Sequence, residues 1–154
     1  MKILIPVDGS TYSRAAAAYV ARLAGTFAEP VEVHLLHVHA PLPYPIAASA
    51  VGHKVVADYQ RETSQEALGV AEAELRKAGV AYRSTWCVGD VAEEVARFVA
   101  THSIELVVCG SHGNNAFVNL ALGSAATRLI ATVPAPVLVV TRAAIAAQRL
   151  REAA

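Results

Sequence analysis

Charge of one sign is what this 154-residue chain most plainly lacks: 13 lysines and arginines stand against 13 aspartates and glutamates. With no basic surplus and no Lys/Arg block, nothing draws it generally to nucleic acid or to an anionic membrane. Cysteine is equally scarce. Cys87 and Cys109 fall in apolar strand-like runs, which implies reduced, structural thiols and excludes a disulfide framework or a paired-cysteine zinc site. Long apolar runs are missing too: 55% of the residues are hydrophobic, much of that is alanine, and no run approaches the roughly 18 residues of a spanning helix. The opening MKILIP lacks the basic, apolar and small-residue parts of an export signal and reads as a strand. A soluble, cytoplasmic protein is therefore expected. Internal repeats are absent, as are the GxxxxGK[ST], HExxH and GxSxG signatures, which leaves no P-loop, zincin or serine-hydrolase reading.

What is present is an alternation of short apolar runs with longer helical segments, the βαβα pattern of a parallel sheet sandwiched by helices. The length fits one domain, 1–154, with 142–154 as an amphipathic or fraying tail. Strands are expected at Ile3–Val7, Val31–His39, Val80–Val88, Ile104–Cys109 and Pro136–Thr141. The third contains Arg83 and alternates, as a strand near a sheet edge does. Helices are expected from the Ser10 cap to Ala24, from Lys54 to Ala78, after Gly89-Asp90 with Glu93 in capping-box spacing, and from Ser124 to Thr132. Prolines 41, 43 and 45 force the stretch 40–53 to run over the surface.

The stretch CGSHGNNAFVNLALGSAATRLI, residues 109–130, is richer in glycine and serine than a strand or helix needs. It follows the fourth strand, and in open parallel sheets ligands settle beyond the carboxyl ends of the strands where the order reverses. Gly110, Ser111, His112 and Gly113 can turn successive N–H groups toward an anion, and Gly123-Ser124-Ala125 opens a helix whose terminus favours phosphate. The same residues also serve a plain turn and a plain helix cap, and spacing alone leaves both readings open.

The spacing of Gly110, Gly113, Gly123 and Ser124, two residues and then nine between glycines, resembles that of nucleotide-binding universal stress proteins. The likeness runs along the chain through ILIPVDGS, LLHV, GDVAEEV, VVCGSHG and PAPVLVV. It implies a single open five-stranded parallel sheet in the order 3-2-1-4-5 with helices on both faces. It also implies ATP, or a related adenine nucleotide, across the ends of strands one and four, with Mg2+ held through the phosphates rather than by a protein cage. By this resemblance Asp8 lies beside ribose and adenine, where its carboxylate accepts a hydroxyl or amino hydrogen; its alternative is a turn bonded to its own backbone. Val38 lines the adenine pocket, and Pro6 and Val7 supply wall. A homodimer through the fifth strand, Pro136 to Thr141, is implied as well.

One departure weakens the phosphate end: residues 113–122 contain no Lys or Arg, and Asn114 stands where many relatives carry a basic residue. Asn114 and Asn115 can still donate hydrogen bonds, and Arg128 either reaches the anion or pairs with a carboxylate. Phe117 and Val118 cover the ligand, meet a partner, or are simply buried. His37 and His39 share a strand face and His34 the other, but an HxH pair lacks the third ligand a metal needs. His37 is expected to serve structure near the strand end, and His112 either contacts phosphate or lies on the surface. No catalytic residue is assigned. Two other readings stay open: slow ATP hydrolysis at the same site, and a homodimeric interaction protein that binds no nucleotide.

Overall fold

The computed structural model describes residues 1–41, 52–113 and 122–152. Its strands are β1 (Lys2–Pro6), β2 (Glu32–His39), β3 (Tyr82–Val88), β4 (Leu106–Gly110) and β5 (Val137–Val140). Between and after them come helices α1 (Thr11–Ala24), α2 (His53–Lys77), α3 (Val91–His102), α4 (Ser124–Thr132) and α5 (Arg142–Glu152). The strands form one sheet in the order β3-β2-β1-β4-β5, and all four pairings are parallel. The expected order and class are therefore those of the molecule.

Residues 3–6 of β1 and Leu106–Gly110 of β4 are apolar throughout because both faces of the sheet are covered. Ile3 and Ile5 join Val33, Leu35 and Val108 in a core shared with Ala16, Ala17 and Val20 of α1 and Leu68, Ala71 and Leu75 of α2. On the opposite face, Leu4, Leu36, Val107 and Cys109 pack with Val95 and Val99 of α3 and Ala126 and Leu129 of α4. Each fully buried Leu, Ile or Val contributes about 1.5–3 kcal/mol through removal from water. Side-chain alternation thus assigns odd residues of β1 to one helical layer and even residues to the other.

Helix starts follow local chemistry. Ser10 caps α1, its Oγ accepting from Ser13 N at 3.2 Å. Asp90 caps α3, Oδ1 accepting from the N–H groups of Ala92 at 3.0 Å and Glu93 at 3.2 Å. Gly79, just past α2, takes φ +68°, the left-handed turn that glycine permits. The largest difference from expectation lies at the carboxyl terminus. There the segment forms helix α5, anchored where Ile145 packs against the first core. β3 begins at Tyr82, two residues later than its apolar pattern suggests, because its pairing with β2 starts at Val33–Tyr82.

Candidate functional site

The sheet reverses direction of winding at β1 and β4, and the loops leaving those strands diverge. After β1, Asp8 bends the chain: its Oδ1 accepts from Ser10 N at 3.0 Å, and Gly9 adopts φ +79°. The turn reading of Asp8 is thus realised, yet its other carboxylate oxygen, Oδ2, approaches Gly113 so closely that a Cβ there would lie 2.5 Å away. On β2, His37 Nδ1 donates to the Val7 carbonyl at 2.7 Å, which requires the proton on Nδ1 and locks the imidazole over the end of β1. His39 makes the same kind of bond to the Ala40 carbonyl at 2.8 Å. His34 lies on the other face, buried, 3.0 Å from Glu32 Oε1.

After β4, the glycines are needed for reasons the sequence did not reveal. None of Gly110, Gly113 or Gly123 has a positive φ. Each instead permits close approach of protein to protein. A Cβ on Gly110 would lie 2.5 Å from Tyr12 Cβ and 2.9 Å from the Tyr12 carbonyl carbon, so this glycine lets the first turn of α1 press on β4. A Cβ on Gly123 would lie 3.2 Å from His112 Cα and from the Ser111 carbonyl oxygen. The proposed run of amides is also shortened. Ser111 N–H donates to the Val140 carbonyl at 3.0 Å, continuing the β4–β5 pairing, and Gly123 N–H donates to the Ser111 carbonyl at 2.7 Å. Neither of these two N–H groups points at a ligand.

The unspent donors lie one step further on. Gly123 is the N-cap of α4 and, having no side chain, makes no cap bond to the open end of that helix. The first intrahelical bond there runs from Thr127 N–H to the Gly123 carbonyl, so the N–H groups of Ser124, Ala125 and Ala126 have no acceptor within the helix. They face the positive end of the helix dipole outward.

These elements surround a cavity of about 720 Å³, inside the roughly 300–1,000 Å³ usual for small-molecule sites. Of the residues expected at the site, Pro6, Val7, Asp8, Val38, Gly110, His112, Gly113, Gly123, Ser124 and Ala125 line it. Asn114, with Asn115, Phe117 and Val118, lies outside the described residues. Further lining comes from Leu36, Val91, Cys109, Ala126 and Leu129, an apolar wall on the α3–α4 face, and from Ser13, His37, His39 and Ala40. Period-two alternation from Val38 reaches Leu36; Cys109 enters the wall as the residue before Gly110 on β4, and Val91 and Leu129 come from helices whose approach no local pattern encodes. Burial pushes the Cys109 thiol up to about 11, so it stands in the wall as a neutral apolar group.

Two side chains had alternatives open. His112 is buried rather than on the surface: its Nδ1 lies 3.0 Å from Ser111 Oγ and its ring 5.3 Å from that of Tyr12. Arg128 takes the carboxylate alternative. Its two terminal nitrogens bond Asp90 Oδ2 at 2.7 Å and Oδ1 at 2.8 Å, clasping α4 to the start of α3. This guanidinium holds the Asp90 carboxyl below its ordinary range, with the helix-cap bonds helping. Among the described residues, no three His, Cys, Asp or Glu side chains are grouped to hold a metal ion.

An open parallel sheet with its cavity at the switch point defines a class of α/β proteins whose ligands sit at that place. The sequence model of the universal stress protein family matches residues 1–141, and the chain belongs to that family. It is 30% identical over 141 residues to Universal stress protein MJ0531 of Methanocaldococcus jannaschii, an alignment that spans 92% of this chain and 82% of that protein. Its fold is similar to that of the hypothetical protein MJ0577, with TM-score 0.75 and 26% identity over 92% of this chain and 95% of the other. It is also similar to a universal stress protein from Archaeoglobus fulgidus solved in complex with dAMP, with TM-score 0.61 and 21% identity over 90% and 96% of the two chains.

Proposed function

We propose that the cavity binds an adenine nucleotide and that the protein is a regulatory or protective module whose conformation or association responds to occupancy. The observation that carries this is the convergence, on one cavity, of the open N-terminus of α4, the Asp8 carboxylate and a broad apolar wall. The three suit the three chemistries of a nucleotide. The N–H groups of Ser124 and Ala125, which have no acceptor within the helix, receive a phosphate. The carboxylate of Asp8 accepts from ribose hydroxyls or the adenine amino group. The aliphatic surface around Val7, Val38 and Leu129 takes the faces of the base. That the Archaeoglobus fulgidus relative of similar fold holds dAMP supports the same ligand class. ATP, with magnesium carried on its phosphates, is the form the family resemblance implies.

The cavity is assigned a binding role without a catalytic one: its lining supplies walls, amides and one carboxylate, and no lysine or arginine among the described residues meets a moving phosphoryl group there. We also place the protein in a reducing compartment, the cytoplasm, where its two unpaired cysteines suit the surroundings. No described helix is long and apolar enough to cross a membrane.

The second element is self-association. β5 is the terminal strand, hydrogen-bonded to β4 alone, and Val137, Leu138 and Val139 are only half-buried. Pairing of this edge with that of a second copy would complete their burial. Sedimentation equilibrium is expected to give a dimer at micromolar concentration, and a monomer there removes the dimer from the reading. For the nucleotide, isothermal titration with ATP and AMP, each with and without magnesium, is expected to give saturable heat in the native chain and little in Gly123→Val. Equal heats from the two proteins would place binding elsewhere.

A further inference from the structure

The connections that leave the carboxyl ends of the strands, residues 7–10, 40–52, 89–90, 111–123 and 141, contain no lysine and no arginine. Their fixed charges are two carboxylates, Asp8 and Asp90. Three cations of the helices are engaged elsewhere. Arg128 holds both oxygens of Asp90, Arg97 holds both oxygens of Glu94 at 2.7 Å, and Arg14 Nε bonds Glu74 at 2.7 Å. Among the described residues none of the cavity's lining is Lys or Arg, whereas Asp8 is part of it. Among the described residues, what the site offers a phosphate is chiefly the open end of α4, equivalent to about half a positive charge, and its amides.

Building on the adenine-nucleotide reading, we propose that this site is selective for nucleotides bearing a single phosphate, a monophosphate or a cyclic phosphodiester, over the di- and triphosphates. One phosphate group fits the donors at Ser124 and Ala125 and is partly neutralised by the helix terminus. Every further phosphoryl group adds about one more negative charge that no Lys or Arg among the described lining meets. Each must leave water for a wall that is largely aliphatic and that carries the Asp8 carboxylate, and an uncompensated anion is costly to desolvate. Magnesium bound on a triphosphate supplies the missing positive charge from outside the protein and narrows the difference.

The full chain, titrated calorimetrically at about pH 8, above the ordinary imidazole range, with adenosine, AMP, cyclic AMP, ADP and ATP in the presence of EDTA, tests this directly. AMP or cyclic AMP is expected to bind at least about tenfold more tightly than ATP, one unmet charge at an interface being worth that much or more. Excess magnesium is expected to raise the affinity for ATP and leave that for AMP nearly unchanged. In Ala125→Lys, which sets an ammonium at the cavity wall, the preference is expected to move toward ATP by about tenfold. ATP binding as tightly as AMP in EDTA overturns the selectivity and keeps the adenine reading. Failure of every adenine compound, adenosine included, overturns both.

Discussion

The two ends of the sheet are built from opposite materials. At the amino ends of the strands, charges neutralise one another: Glu32 lies within 4.0 Å of Lys2, His34 and Arg83 together, and Glu105 receives the Lys2 backbone N–H at 2.7 Å. His102 stacks on Phe98 with ring centroids 3.8 Å apart, beside His34. At the carboxyl ends, glycines replace bulk, a helix starts from a glycine that brings no side-chain cap, and an apolar cavity opens. The first end has its polar groups satisfied from within the protein. The second end leaves the first N–H groups of α4 without an acceptor in the helix, which under the proposed function keeps free energy for a ligand rather than for the fold's own stability.

The comparison can be broken at two glycines that stand three residues apart for different reasons. Gly110→Ala forces a Cβ onto Tyr12, including its backbone, and is expected to lower unfolding free energy by about 3 kcal/mol in urea titration, since overpacked sites cannot relax when backbone blocks them. Among the described residues, Gly113→Ala meets the tip of a side chain, Asp8 Oδ2. It is expected to turn that carboxylate aside, costing about tenfold in nucleotide affinity and less than about 1 kcal/mol in stability. If the two substitutions behave alike in both measurements, the division of labour between them is wrong.

The amino end is the place for a pH effect. Burial is the largest influence on His34 and lowers its affinity for a proton, with His102 and Arg83 adding repulsion and Glu32 opposing them. A folded-state value below the ordinary 6.5 means that the unfolded chain binds the proton more readily. Stability from this histidine is therefore complete above about pH 6.5 and is lost as pH falls toward the folded-state value. The urea midpoint is expected to drop between pH 7.5 and pH 5.5, and Glu32→Gln, which removes the opposing carboxylate, is expected to steepen the drop. A midpoint that is flat in the variant contradicts the assignment. The smallest expected effect belongs to Asp90→Ala, which removes the α3 cap and the Arg128 clasp at an exposed site: a fall of a few degrees in Tm, with AMP affinity unchanged because neither residue lines the cavity.

Much of this molecule was legible from sequence because it depends on local pattern. The apolar runs gave β1 to β5 within a few residues, Ser10 and Asp90 announced their helices, and Gly123-Ser124 stood where α4 begins. The strand order came from the family resemblance, since spacing alone does not order parallel strands. What stayed hidden was set by contacts between distant segments. That Gly110 answers to Tyr12 and Gly113 to Asp8, that Ser111 spends its N–H on Val140, and that Arg128 turns to Asp90 are all consequences of how β1, α1, β4 and α3 meet. The α5 helix was hidden for a related reason: its fixed point, Ile145, gains its value only from the core it reaches.

Backbone amide spectra of 15N-labelled protein titrated with AMP test the central claim most directly. The account predicts saturable shifts at Gly113, Ser124 and Ala125 and near Asp8, with the signals of Glu32, His34 and His102 unmoved. Shifts centred on the amino ends of the strands, or none anywhere at millimolar AMP, would contradict it.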